Sequence, residues 1–190
     1  NQQQSGQSSS QSEQQMEQLY SDLKSAQNEM MTADKEKILA QMQKITKNLL
    51  KLSENEEDLI DNTKSLSNYS DQYPEVAESQ QQILEGMSRV VKDIIDLSHE
   101  TFFISPKISK SLGSANGNMR KSLSELENRR KATAGKFQQQ AMAALNESVL
   151  SMNQTMEAMS ESGSATGFQE YLEQMQKMAG SQGQLNQESL

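Results

Sequence analysis

Apolar residues recur along most of this chain at alternating steps of three and four, a spacing that gathers them on one face of a helix. From Ser12 the set is Met16, Leu19, Leu23, Ala26 and Met30. Ser12 reads as an N-cap, and Gln15 stands three residues on, at the capping-box position. The stripe loses phase over Met31–Asp34, where Thr32 and Asp34 are natural N-caps for a new helix. The strongest pattern follows: Ile38, Met42, Ile45, Leu49, Leu52, Glu56, Leu59, Thr63 and Leu66. This is a heptad seam interrupted by one carboxylate and one hydroxyl. Leu39, Leu50 and Ile60 widen it toward the stripe a bundle helix needs.

The polar run Ser67–Tyr73 reads as a turn, and Pro74 suits the first turn of the helix after it. That helix carries Val76, Gln80, Ile83, Met87, Val90, Ile94, Leu97 and Thr101, thickened by Leu84, Val91 and Ile95. Two helices of similar length across a short loop predict an antiparallel hairpin. Phe102-Phe103-Ile104-Ser105-Pro106 is the next break, with Ser105 as N-cap and Pro106 at the first helical position. Two phenylalanines at one turn predict a buried plug at the bundle end.

Ile108, Leu112, Ala115, Met119, Leu123 and Leu126 mark a further helix. Its middle, Gly113 to Gly117, is a poor helix former, since each glycine costs up to about 1 kcal/mol relative to alanine. Either the helix is weak there or a neighbour comes close. Arg129-Arg130-Lys131 marks a joint or a continuation. Phe137, Ala141, Ala144, Leu145, Val149, Met152, Met156 and Met159 then keep helical spacing to about Ser160. Ser162–Gly167 is the clearest linker, and Phe168, Leu172, Met175 and Met178 give a short last helix.

The sum is five or six helices and no convincing strand. The fold class is all-α, an elongated antiparallel helical bundle of coiled-coil-like hairpins. Residues 1–11 read as a disordered Gln/Ser-rich lead-in, 12–162 as the bundle, 163–167 as a linker, 168–179 as a short helix and 180–190 as a flexible tail. Composition supports this. Asn, Gln and Ser make up about a third of the chain, yet only two Pro and nine Gly interrupt it among 190 residues. Only 4% of residues are aromatic, which disfavours strands.

Charge and cysteine content exclude more. With 18 Lys+Arg against 26 Asp+Glu the net charge is −8, so general nucleic-acid binding is not expected. Without cysteine there is no disulfide framework and no thiolate metal site. No run approaches the ~20 apolar residues of a membrane span. Asn1 opens the chain without a signal-peptide pattern, so the chain reads as a piece of a longer protein.

Candidate chemistry is sparse. His99, the one histidine, could be a general base or a metal ligand, but a polar residue at a helix end is the better reading. Glu54, Glu56, Glu57, Asp58 and Asp61 lack the glycine turn of a calcium loop and read as a solvated face. Glu56 differs, because it sits on the seam. It is expected to face a Lys or Arg of a neighbouring helix or to lie near the exposed edge. Arg129–Lys131 suggests local ion pairs or an acidic partner. Gly113 and Gly117 have GxxxG spacing outside the apolar context that gives it meaning. Met152, Met156 and Met159 are core, or an adaptable partner-binding strip. Glu56, Gly113, Gly117 and these methionines are therefore the candidate packing or interaction points. No catalytic, cofactor-binding or metal-binding residue is assigned, and no cofactor is expected.

Asn48–Leu59, Ala144-Leu145-Asn146 before a Met-bearing helix, and Leu172–Ala179 with Gln182–Gln187 form a recognisable combination. It resembles the late, Gln-rich helical region of large bacterial membrane proteins of domain-of-unknown-function family 4175. The resemblance covers most of the chain from about Glu13. It implies membrane spans elsewhere in the parent and a location in the bacterial cell envelope, on the periplasmic side. It implies no activity. The expected function is a non-catalytic helical scaffold or protein-interaction segment. The alternatives are a sensory or signalling bundle, or a secretion- or tail-type coiled coil that assembles. The expected partner is another protein or a second copy of the chain. Nucleic acid is not expected, and membrane is met only through segments outside this chain.

Overall fold

The structure, a computed structural model, describes residues 2–162, with side chains before Met31 described only at Asp22 and Ser25. It contains four helices: α1 Gln2–Ser65, α2 Tyr73–Ser98, α3 Pro106–Glu127 and α4 Lys131–Glu161. Among the described residues there is no strand, so the all-α expectation holds. Within the described residues one expected boundary is missing. The stripe change at Met31–Asp34 does not end a helix, because α1 runs through it as one element, as it does through Ser12. A phase change moves the apolar face round the helix, but only a residue such as Pro removes a backbone bond. The short helix expected at 168–178 and the linker at 163–167 lie outside the described residues.

Each helix packs against two neighbours. α1 lies against α2 and α4, and α3 lies against the same two, while the diagonal pairs α1–α3 and α2–α4 do not approach at the level of their backbones. Adjacent helices run in opposite directions. Lys37 of α1 reaches Glu100 just past α2, whereas Glu56 reaches Gln80 near its start. Lys35 reaches the end of α4 at Ser160 and Ser162, whereas Thr63 meets Gln138 near its beginning. α3 and α4 pair Lys107 with Glu147 and Lys121 with the Phe137 ring. This is the up-and-down arrangement that short connections enforce.

The seam positions form the core. Met42, Leu49, Met87, Ile108, Met119, Leu126, Leu145, Met152 and Met159 are all fully buried. The α3–α4 pair is the most intimate. On α4, small residues recur every seven positions at Ala134, Ala141, Ser148 and Thr155, all buried. Ala115 and Ser122 supply small residues from α3. Ser111 and Ser148 share a 2.7 Å hydrogen bond across the interface.

Several expectations at the periphery need correction. The Phe102–Phe103 turn is no buried plug, for Phe102 is 52% exposed and Phe103 only half-buried, while Thr101 beside them is buried. Leu50 and Ile95 do not widen the buried stripe, being 45% and 52% exposed. Both stand one residue past a core position, about 100° round the helix; Ile60 and Leu84 take the same step past Leu59 and Ile83 and stay buried, so the step alone does not decide exposure. Gly113 and Gly117 sit in an unbroken α3, and an added Cβ at either would meet nothing within 4 Å. They permit no close approach. The close approach is at Gly86 of α2, where a Cβ would lie 2.7 Å from Leu52 Cδ2. The double change Gly113→Ala/Gly117→Ala is therefore expected to stabilise the bundle by about 1–2 kcal/mol in total. Calorimetry should show a Tm raised by several degrees; no rise would mean the glycines are needed for something other than space.

The Arg129–Lys131 run is the joint between α3 and α4. Arg129 takes a left-handed conformation (φ 57°) and its guanidinium lies 5.8 Å from the centre of the Tyr73 ring. Arg130 pairs with Glu125 at 2.7 Å. Lys131 donates to the carbonyl oxygens of Leu66 and Lys64, where α1 ends. Lys35 does the same for α4 at the opposite end, 2.9 and 2.8 Å from the Ser160 and Ser162 carbonyls. A cation at a helix C-terminus answers both orphan carbonyls and the dipole. Lys131→Met is expected to cost about 1 kcal/mol in urea unfolding, and less at high salt. A loss insensitive to salt would assign the effect to packing of the side-chain stem.

Candidate functional site

A polar layer crosses the apolar core near the end of the bundle that carries Tyr73. Seam spacing places Glu56 and Thr63 of α1, Gln80 of α2 and Gln138 of α4 inside, because each falls where the 3,4 alternation demands a buried residue. Glu56, Gln80 and Gln138 are fully buried, and Thr63 is nearly so. The Gln80 amide nitrogen donates to both carboxylate oxygens of Glu56, at 3.0 and 3.3 Å. The Gln80 carbonyl accepts from the Gln138 amide at 3.3 Å, and that same amide donates to the Thr63 hydroxyl at 3.0 Å. The chain of bonds ties α1, α2 and α4 together over two turns of α1, from Glu56 to Thr63.

This answers the expectation for Glu56 with a correction. It faces neither a cation nor the solvent edge, but a neutral amide. No other Asp or Glu, and no Lys, Arg or His, is buried among the described residues. Burial without a counter-charge disfavours the carboxylate. It pushes the Glu56 carboxyl up to about 7, although the Gln80 hydrogen bond pulls the other way. The Gln138 carbonyl oxygen and the Tyr73 hydroxyl are buried without a partner in the structure.

The other candidates are dispersed. Glu54, Glu57, Asp58 and Asp61 are exposed, with Glu54 and Asp61 paired to Lys51 and Lys64 on their own helix. His99 caps the end of α2 in solvent. Met152 and Met159 are core and Met156 is half-buried against it. Gly113 is exposed and Gly117 half-buried on α3. No three metal-ligating side chains converge among the described residues. A groove of about 460 Å³ follows the α1–α2 seam beside Gly86, and its lining includes Lys44, Lys51, Arg89 and Lys92. Lys51 and Lys92 are committed to Glu54 and Asp96, and Asp93 lies among them, so its charge is mixed. Neither groove nor layer brings a nucleophile to a base.

Gln80 and Gln138 were readable as seam residues but carry no chemical signal in isolation. Gln80 follows Val76 by four and precedes Ile83 by three, and Gln138 stands likewise between Ala134 and Ala141. Extending the heptads through polar residues finds both. Comparison with known proteins returns no matching family model, no matching curated protein and no matching solved structure.

Proposed function

We propose that this chain is a non-catalytic helical scaffold, or protein-interaction segment, of a membrane-anchored bacterial envelope protein. The observation that carries the reading is the length of α1. Lys35 is level with the end of α4 and Lys37 with the end of α2. The half of α1 before Lys35 therefore runs on past both neighbours, over roughly 50 Å at the helical rise. A rod projecting from a small bundle suits joining and spacing, with the bundle as its anchor. Its exposed positions Asp22 and Ser25 are polar. Placement in the envelope draws on the resemblance alone, carried by Asn48–Leu59, Ala144-Leu145-Asn146, and Leu172–Ala179 with Gln182–Gln187.

Site-specific photo-crosslinking tests the proposal. A photoreactive residue at Ser25 is expected to give discrete adducts, to a second copy or to another envelope protein, in native membranes. The same residue at Gln43, within the bundle and exposed, serves as the control. Equal background at both positions, with a monomer in sedimentation, would overturn it.

The buried carboxylate layer favours a second reading, a sensory bundle with two helix packings. Engineered cysteine pairs across α1 and α2 would separate the two readings. A static scaffold keeps one cross-linking pattern, whereas a sensor changes it with its signal.

A further inference from the structure

We propose that the Glu56–Gln80–Gln138–Thr63 layer is a proton-operated latch. With Glu56 neutral, it closes α1 against α2 and α4 at the Tyr73 end of the bundle; with Glu56 ionised, that end opens to water while the far end stays packed. The inference goes beyond the scaffold reading and stands whether or not the arm of α1 binds a partner.

The geometry supplies three arguments. First, the backbone of α1 comes close only to α2 and α4, and the hydrogen-bonded groups next to Glu56 belong to these two helices. From α2 the group bonded to it is Gln80, with the buried Tyr73 two turns further on toward the start of the helix. From α4 the group is Gln138. Among the described residues no buried cation or second carboxylate comes from either helix, from α1 or from α3. Lys131 lies at this end, but it is spent on the carbonyls that finish α1. Arg129 lies over the outside of the Tyr73 ring. The charge on Glu56 thus has only one amide to balance it.

Second, the layer is under-bonded. Within it the Gln138 carbonyl is buried with no partner, and so is the hydroxyl of Tyr73, which starts α2 at the same end of the bundle. Such atoms lower the cost of admitting water, which needs polar partners to stay. Third, the layer stands off-centre. Toward the far end, α1 meets its neighbours through Met42, Ile45 and Leu49, with Ile94 and Met152 fully or nearly fully buried. A charge at Glu56 therefore acts on the short stretch between the layer and the Leu66–Tyr73 turn.

Burial holds the Glu56 carboxyl up to about 7, against 4.5 for the free side chain. In the closed state it stays protonated where the opened state has already released its proton. Opening becomes easier as pH rises, about tenfold per pH unit between these two values, and levels off above the upper one.

The test uses the full chain and two readouts. Carbon NMR of the glutamate carboxyls should show Glu56 titrating near neutrality, well above the exposed glutamates. Hydrogen exchange, corrected for the intrinsic pH dependence of the amides, should then be followed from pH 5 to 7.5. Protection in Val76–Leu84 of α2 and Ala134–Leu145 of α4 is expected to fall by tens of fold. Protection in Val90–Leu97 and Met152–Met159 is expected to hold, and Glu56→Gln should abolish the pH response of the first two segments. A Glu56 midpoint near that of the exposed glutamates overturns the latch. So does loss of protection at both ends together, which would mean global unfolding. Should Glu56→Gln fail to fold, the two wild-type readouts decide the matter alone.

Discussion

At pH 8, Glu56→Gln is expected to be more stable than the parent by up to about 3 kcal/mol. At pH 5 the two proteins are expected to lie within roughly 1 kcal/mol of each other, the net worth of one hydrogen bond. The sign follows from linkage. The folded carboxyl is raised to about 7 from 4.5. Below the lower value both folded and unfolded states hold the proton, and stability is complete. Between the two values the unfolded chain has released it and the folded chain has not, so stability falls as pH rises. Above the upper value the loss is complete, because folded and unfolded states are then both ionised and further rise in pH favours neither. An amide of the same shape never ionises, and it can still accept from Gln80. Urea titrations across this range would give a falling curve for the parent and a flat one for the variant. Parallel curves would show that Glu56 is solvated or neutralised in solution.

Gln80→Leu should act in the opposite direction at the same place. It removes the donor to both Glu56 oxygens and the acceptor used by Gln138. Stranding a buried charge costs about 3–5 kcal/mol, and the cost should shrink at pH 5, where the charge is absent. Combining it with Glu56→Gln should recover part of the loss at pH 8, since residues sharing a network are not additive.

How much of this was legible beforehand follows from what periodicity measures. The 3,4 alternation reports which residues share a face, so it located Met42, Leu49, Met87, Leu97, Met119 and Met152 in the core. It also located Glu56 inside. It carries no information on what stands opposite, and a cation was the natural expectation where Gln80 was found. The turns were legible because Pro74 and Pro106 both fall in the first turn of a helix. The Met31–Asp34 break was misread because a capping residue permits a helix start without requiring one. Phe102 was misplaced because hydrophobicity alone says nothing of whether a turn folds over the bundle end or away from it. Gly113 and Gly117 were suspected of a close contact that belongs to Gly86, where Leu52 crosses. All three glycines look alike in a single chain, and only the neighbouring helix distinguishes them.

Ala141→Leu should be the most damaging substitution of a small residue on α4. Ala141 is fully buried, and α4 faces α3 in the tightest pairing of the bundle. Its neighbours along the same heptad row, Ala134 and Ser148, are equally small, and Ser148 is drawn to 2.7 Å of Ser111. Three added carbons therefore have no void to enter. They must push α3 away and break that hydroxyl pair, or force the leucine off its rotamer. Overpacking of this kind typically costs about 1–3 kcal/mol, and here loss of a buried hydrogen bond adds roughly 1 kcal/mol more. Ala143→Leu, two residues on and exposed, is the control and should stay within about 0.5 kcal/mol of the parent. Equal behaviour of the two variants in thermal melts would show that the α3–α4 interface is looser than its serine pair implies. A loss confined to Ala141→Leu would show that the spacing of these two helices is set by small side chains. The bundle would then hold a close-packed half, α3 with α4, beside a polar, titratable contact of α1 with α2. That asymmetry decides where the molecule yields first.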